Sequence, residues 1–167
     1  MKPYTAEEVR KQLEKAARFR EMPKKRVVIQ TMPDFSVRVD GELLTMNRKK
    51  TEELLALLVD RGNAGVTAGE AIACLWPDRA ADVNTGTLYR MTCKRLLDVL
   101  KEKGIDDILV SQGRKKYLRT DLVDCDLYRL LDGNQEVLRN FSGEYLRAYS
   151  WAEFTNARLN SLKTDLY

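Results

Sequence analysis

DVNTGTLYRMTCKRLLDVLKEKG at residues 82–104, followed by ILVSQGRKKYLRT at residues 108–120, is the stretch on which the reading of this chain turns. In the first part Tyr89, Cys93, Leu96 and Leu100 recur at steps of three and four, the spacing that puts side chains on one face of an α-helix. Asp82 or Asn84 supplies the side-chain oxygen that caps the first free amides, and Gly104 supplies the left-handed residue that ends such a helix. Arg90, Met91, Lys94 and Lys101 fall off the apolar stripe, so the open face is cationic. In the second part Gly113, with Arg114, Lys115 and Lys116 beside it, divides two short runs into a basic two-stranded hairpin. A helix with one apolar and one cationic face, followed by a basic hairpin, has the shape of a major-groove reader with a wing. For the helix by itself a merely solvated charged face is the plain alternative; the order of the elements upstream favours the reader.

Upstream the period changes twice. RVVIQTMPDFSVRVDGELLTM at residues 26–46 alternates, with Val27, Ile29, Phe35, Val37 and Val39 fitting strands and Asp40-Gly41 forming a two-residue hairpin signal. A small antiparallel sheet is expected there, with Pro33 at a bulge or an edge because it has no amide to donate. From about Arg48 the period becomes helical, with Leu54, Leu55, Leu57, Leu58 and Val59 forming a wide apolar face as far as Gly62. Thr67 and Glu70 form a capping box ahead of a short helix in which Ile72, Leu75 and Trp76 face inward, and Pro77 and Asp78 stop it. Nearer the N-terminus, Thr5 and Glu8 make another capping box, and Val9, Leu13, Ala16 and Ala17 give a narrow stripe. Pro23 and the run Lys24-Lys25-Arg26 then read as a linker. The predicted fold is α+β: a winged helix-turn-helix with an N-terminal antiparallel β-sheet, three helices and a C-terminal β-hairpin wing, flanked by N- and C-terminal helices.

Composition removes several function classes. With 167 residues the chain has room for about one domain and its extensions. It contains no histidine, which removes His-based acid–base catalysis, Ser-His or Cys-His nucleophilic pairs and His-containing zinc sites. Cys74, Cys93 and Cys125 sit far apart in apolar patterns without CxxC spacing, as core thiols do. Neither a Gly-rich phosphate loop nor a metal-ligand spacing is present, so no enzyme, cofactor or metal is expected. Nor does any apolar run approach the roughly 20 residues needed to cross a bilayer. The N-terminal stretch is charged throughout, unlike a signal peptide, and a cytoplasmic protein is expected. Net charge is +4, but from Asp121 onward eight acids face five bases, a balance of −3 that leaves +7 on residues 1–120. That asymmetry favours a polyanion as partner for the front portion and something else for the tail.

Residues 27–120 resemble the winged-helix effector domain of OmpR/PhoB-type response regulators, and more closely the version in regulators similar to the Streptomyces antibiotic regulatory proteins. The matching pieces are FSVRVDGELL, KKTEELLALLVDRGNAGVTAGEAIACLWPD, TLYRMTCKRLLDVL and KKYLRT. The chain departs from the pattern at Met32-Pro33-Asp34-Phe35, where the family has Phe-Gly-x-Phe, and at Lys116, where a glycine often precedes the tyrosine. The first departure is expected to distort the N-terminal sheet and the second to change the wing turn. VDCDLYRLLDGN and FSGEYLRAYSWAEFTNARL look like the opening helices of the bacterial transcriptional activator domain. Lys2-Pro3 ahead of a capped helix is similar to the end of a receiver domain, as if the chain began just before the switch lysine. The expected division is a receiver-like last helix and basic linker at 1–25, a winged-helix DNA-binding domain at 26–120 and a helical extension at 121–167.

This resemblance implies sequence-specific binding of double-stranded DNA and transcription regulation, as the output part of a two-component response regulator. By position, Thr87, Arg90, Met91 and Lys94 face the bases, Lys49, Lys50 and Lys101 touch phosphates, and the wing residues Arg114 and Lys115 reach the minor groove. Duplex DNA and RNA polymerase are the implied partners, with no membrane. The expected state is a monomer or weak homodimer that pairs on DNA. The alternative is a protein-interaction module on a winged-helix scaffold that does not bind DNA. Its surface would be Tyr128, Leu130, Leu131, Tyr145, Leu146, Tyr149, Trp151 and Phe154, provided they are exposed rather than packed in a core.

Overall fold

In the first two strands of the computed structural model, alternating side chains turn one face to the core and one to solvent. Strand β1 (Val27–Gln30) buries Val27 and Ile29, and β2 (Ser36–Val39) buries Val37 and Val39. They pair antiparallel with Val27 opposite Val39 and Ile29 opposite Val37, so the four buried side chains meet across the ladder. Asp40 and Gly41 follow with φ of 51° and 86°, the pair of left-handed residues that a type I′ turn requires, and lead into β3 (Glu42–Leu43). Pro33 is neither at a bulge nor on an edge strand. The β1–β2 ladder closes at Gln30 opposite Ser36, and the proline lies in the connecting loop, where its missing amide is not needed.

The structure describes residues 5–7, 10, 25–80 and 82–165. Lys2-Pro3, Glu8, the stripe of Val9, Leu13, Ala16 and Ala17, and Pro23-Lys24 lie outside the described residues.

Helix α1 (Lys49–Arg61) buries Thr51 and then every residue from Leu54 to Val59, so it is enclosed on all sides over that stretch. Helix α2 (Ala68–Leu75) begins where the Thr67 hydroxyl accepts from the Glu70 amide at 3.2 Å. Helix α3 (Val83–Glu102) begins at Asp82, whose carboxylate accepts from the Thr85 amide at 2.9 Å; of the two candidate caps, Asp82 is the one used. The far end closes as a Schellman motif. Gly104 has φ of 70°, its amide reaches the Lys101 carbonyl at 3.0 Å, and the Ile105 amide reaches the Leu100 carbonyl at 2.9 Å. A second sheet, of order β4-β6-β5, is made by β4 (Val66–Thr67), β5 (Leu109–Gln112) and β6 (Lys115–Leu118). Strands β5 and β6 form the wing, joined through Gly113 and Arg114. Lys116 does not alter the turn as expected. It sits inside β6 opposite Ser111, and its ammonium donates to the Ser111 hydroxyl at 2.8 Å.

Beyond the wing the chain returns to the first sheet. Strand β7 (Val123–Cys125) pairs with β1 in parallel, giving the order β3-β2-β1-β7, so the sheet is mixed rather than wholly antiparallel. It therefore runs across the boundary that the sequence suggests at residue 120. Helices α4 (Asp126–Leu131), α5 (Gln135–Asn140) and α6 (Glu153–Thr164) follow. Of the eight apolar tail residues, Leu130, Tyr145 and Leu146 are buried, Tyr128, Tyr149 and Trp151 are half-buried, and Leu131 and Phe154 are exposed.

Polar bonds fasten this extension to the winged helix. The Tyr128 hydroxyl donates to the Val59 carbonyl at 2.6 Å, the Tyr145 hydroxyl to Asp60 at 2.7 Å, and the Trp151 indole to Glu53 at 3.0 Å. Arg147 holds Asp34 through two bonds of 2.7 and 2.9 Å, and the Leu146 amide donates to the Thr31 carbonyl. The departure at residues 32–35 therefore leaves the strands intact; the loop that carries it is the landing place for the extension. The Asp126 carboxylate accepts from the Thr31 amide at 2.9 Å, the Thr31 hydroxyl at 2.6 Å and the Met32 amide at 3.1 Å.

Two stability measurements follow from these bonds. Asp126→Ala strands the amide and hydroxyl of Thr31, which is 0% exposed, and is expected to cost about 3 kcal/mol, read as a lower urea midpoint at unchanged slope. Tyr145→Phe takes the donor from the Asp60 carboxylate, whose side chain is only 6% exposed, and is expected to cost about 2 kcal/mol in the same titration. A loss below about 0.5 kcal/mol in both would mean that the extension does not contribute to the fold's stability through these contacts.

Candidate nucleic-acid interface

Helix α3 presents two chemically distinct faces. Thr85, Tyr89, Thr92, Leu96 and Leu100 are buried, and Cys93 is half-buried beside them. The buried Thr92 hydroxyl is satisfied by donating to the Leu88 carbonyl at 2.8 Å. Burial raises the Tyr89 phenol well above its ordinary value and raises the Cys93 thiol as well, so both remain neutral on the inner face. All three cysteines are free; burial likewise raises Cys74 and pushes the Cys125 thiol up to about 12. Inert core thiols are the result.

On the outer face Thr87, Arg90, Met91 and Lys94 are all exposed, as their phase against Tyr89 and Leu96 requires. The Thr87 hydroxyl donates back to the Val83 carbonyl at 3.0 Å and accepts from the Arg90 guanidinium at 3.1 Å. Arg90 is thus laid along the first turns of the helix rather than extended into solvent. Lys94 has no ion-pair partner among the described residues, and its charge is open. Hydrogen bonds from the Thr85 amide and hydroxyl hold the Asp82 carboxyl below the usual carboxylate range, which keeps the cap ionised at neutral pH.

The residues expected on phosphates divide differently. Lys49 is exposed at the start of α1 and lines a cleft of about 820 Å³ together with Trp76, Pro77 and Arg79 of the turn between α2 and α3. Lys50 is already engaged. Its ammonium pairs with Glu53 at 2.9 Å and also donates to the Leu75 carbonyl, the last of α2, so it completes a helix end instead of standing free. Lys101 is exposed, but Asp98 lies one turn before it on the same side and separates it from Lys94. Arg114 and Lys115 are exposed at the wing tip, while Lys116 is half-buried.

Three residues near this face were not expected from the sequence pattern. Val83, 81% exposed, and the exposed Asn84 occupy the first turn of α3, and Arg79 precedes it. The signal for Val83 was present in its distance of six residues from Tyr89, which places it off the buried stripe. Arg26 was read as part of a linker run and is instead a clamp. Its guanidinium holds Asp40 at 2.9 and 3.0 Å and donates to the carbonyls of Lys103 and Gly104 at 3.1 and 3.0 Å, at the C-terminal end of α3. A fixed cation there suits both the free carbonyls and the helix dipole.

Among the described residues no cluster of acidic or cysteine side chains is placed to hold a metal ion, and no helix is long and apolar enough to cross a membrane. No family model matches the chain, and no curated protein matches it. Among solved structures, EmbR of Mycobacterium tuberculosis, determined in complex with a low-affinity phosphopeptide, matches with a TM-score of 0.65 at 20% identity. The match covers 84% of this chain and 43% of EmbR, so the chain spans less than half the length of that relative. What the likeness establishes is the fold, an α+β winged helix.

Proposed function

We propose that this chain binds double-stranded DNA in a sequence-specific manner and regulates transcription. Helix α3 enters the major groove, and the β5–β6 wing lies against the neighbouring minor groove. The observation that carries the reading is the outer face of α3, where Thr87, Arg90, Met91 and Lys94 share one exposed surface, bordered by Asp82 at its start and Asp98 one turn beyond Lys94. Arg90 and Lys94 suit guanine edges, while Lys49, Lys101, Arg114 and Lys115 suit phosphates. The charge of +7 on residues 1–120 supplies the long-range attraction. In keeping with the OmpR/PhoB resemblance, the chain acts as the output part of a two-component response regulator in the cytoplasm, with RNA polymerase as its further partner. It is a monomer or weak homodimer that pairs on DNA. Its role is binding, not catalysis.

A protein-interaction module without DNA binding is the second reading, and Phe154 favours it: at 83% exposure on α6 it is an apolar side chain with no use in the first reading. The double charge reversal Arg90→Glu with Lys94→Glu separates the two, since it abolishes duplex binding in the first reading and leaves partner binding intact in the second.

Two measurements test the DNA reading. With about five phosphates neutralised, log Kd against log salt is expected to have a slope near about 4.5 in magnitude, at roughly 0.9 per phosphate; a flat response between low and physiological salt sinks the reading. In a random-duplex selection, Arg90→Ala or Lys94→Ala is expected to change which sequences are retained, whereas Lys49→Ala weakens all duplexes about equally. If Lys49→Ala shifts the preferred sequence while both α3 variants leave it untouched, the orientation of the helix is wrong.

A further inference from the structure

The outer face of α3 carries more apolar surface than phosphate contact or guanine recognition requires. Val83 is 81% exposed at the first helical position and Met91 is 44% exposed two turns later. Thr87 lies midway between them, so the three form one row at i, i+4 and i+8 along the helix. Beside it runs a second row of Arg90 and Lys94, also four residues apart. Thr87 belongs with the apolar row for a specific reason. Its hydroxyl is already bonded to the Val83 carbonyl and to Arg90, which leaves its methyl as the group without a partner.

In the major groove the 5-methyl of thymine is the apolar group on the base edges, and aliphatic side chains are what contact it. The row spans eight residues, about 12 Å at about 1.5 Å per residue, which corresponds to three or four base steps of about 3.4 Å. A helix face that pairs an apolar row with a cationic row is matched by a duplex in which thymines stand close to guanines. We propose that Val83, Thr87 and Met91 read thymine 5-methyl groups within one such window, and that Val83 is a specificity-determining residue of this chain. The inference rests on the reading that α3 enters the major groove, and goes beyond it by assigning the base chemistry.

The test uses the full chain and a duplex recovered from a random pool at about 150 mM salt. Each thymine of that duplex is replaced in turn by deoxyuridine, which keeps every hydrogen-bonding edge and lacks only the methyl. Binding is measured by fluorescence anisotropy for the unaltered chain and for Val83→Ala, Thr87→Ser and Met91→Ala. These positions lie on the exposed face, and an unchanged thermal midpoint confirms that each variant folds. The expected result is a loss of about threefold to fivefold at one to three thymines, the effect of one buried methyl, with each loss disappearing in one of the three variants. Thr87→Ser is the sharpest arm, because it removes the methyl and keeps the hydroxyl. The inference is overturned if deoxyuridine is tolerated at every thymine, or if the losses persist undiminished in all three variants. A pool from which no sequence is enriched is a different outcome: it overturns the DNA-reading proposal itself and this inference with it.

Discussion

Everything in this fold depends on α1 being enclosed. Six consecutive residues from Leu54 to Val59 are buried, so there is no solvent-facing side along that stretch of the helix. A helix in that position must be covered by several elements at once, and its backbone and flanking polar groups must find partners in the cover. Helices α2 and α3 and strand β6 pack on it from the winged helix. The extension supplies the rest of the cover together with the partners, through Tyr128 on the Val59 carbonyl and Tyr145 on Asp60. Without the extension the Val59 carbonyl and the Asp60 carboxylate would exchange these donors for water, with Arg61 still beside Asp60 at 3.4 Å. The extension is therefore part of the same packing unit as the winged helix.

The bonds around α1 also locate the helix-turn-helix. Glu53 accepts from Trp151 on one oxygen and from Lys50 on the other, and Lys50 in turn donates to the last carbonyl of α2. A continuous polar chain thus runs from the extension to the turn that precedes α3. At the other end of α3, Arg26 fixes the final carbonyls to the Asp40 turn of the first sheet. The helix that carries the exposed face is thus fixed at its C-terminal end by Arg26, while Lys50 fixes the end of the helix before it.

Local pattern made most of the winged helix legible. The three- and four-residue spacing in α3, the alternation in β1 and β2, the Asp40-Gly41 turn and the Thr67 cap all depend on residues near one another in sequence, and the structure has each of them. What could not be read is long-range polar partnership. Nothing local shows that Lys50, exposed like Lys49, is engaged on Glu53 and Leu75. Nor does any local feature mark Arg26 as a clamp instead of a linker charge. Val123, Asp124 and Cys125 contain too few residues for an alternation to be recognised, so β7 was hidden although it completes the first sheet. On the outer face of α3, attention to charge selected Arg90 and Lys94 and passed over Val83, whose exposure is chemically informative because it is apolar.

The parallel pairing of β1 with β7 has a kinetic consequence. Thr31 and Asp126, which are bonded at the end of that pair, stand 95 positions apart, and loop closure over such a span is paid in chain entropy before any contact rewards it. On a ribosome, the β1–β2–β3 meander and all three helices of the winged helix emerge while the place beside β1 is still vacant. The Thr31 amide and hydroxyl are left to water for that whole interval, and the nascent sheet keeps an open edge next to Val27 and Ile29 until Val123 to Asp126 arrive. Synthesis order makes the segment from Val123 onward, made after the winged helix, the element that closes this sheet.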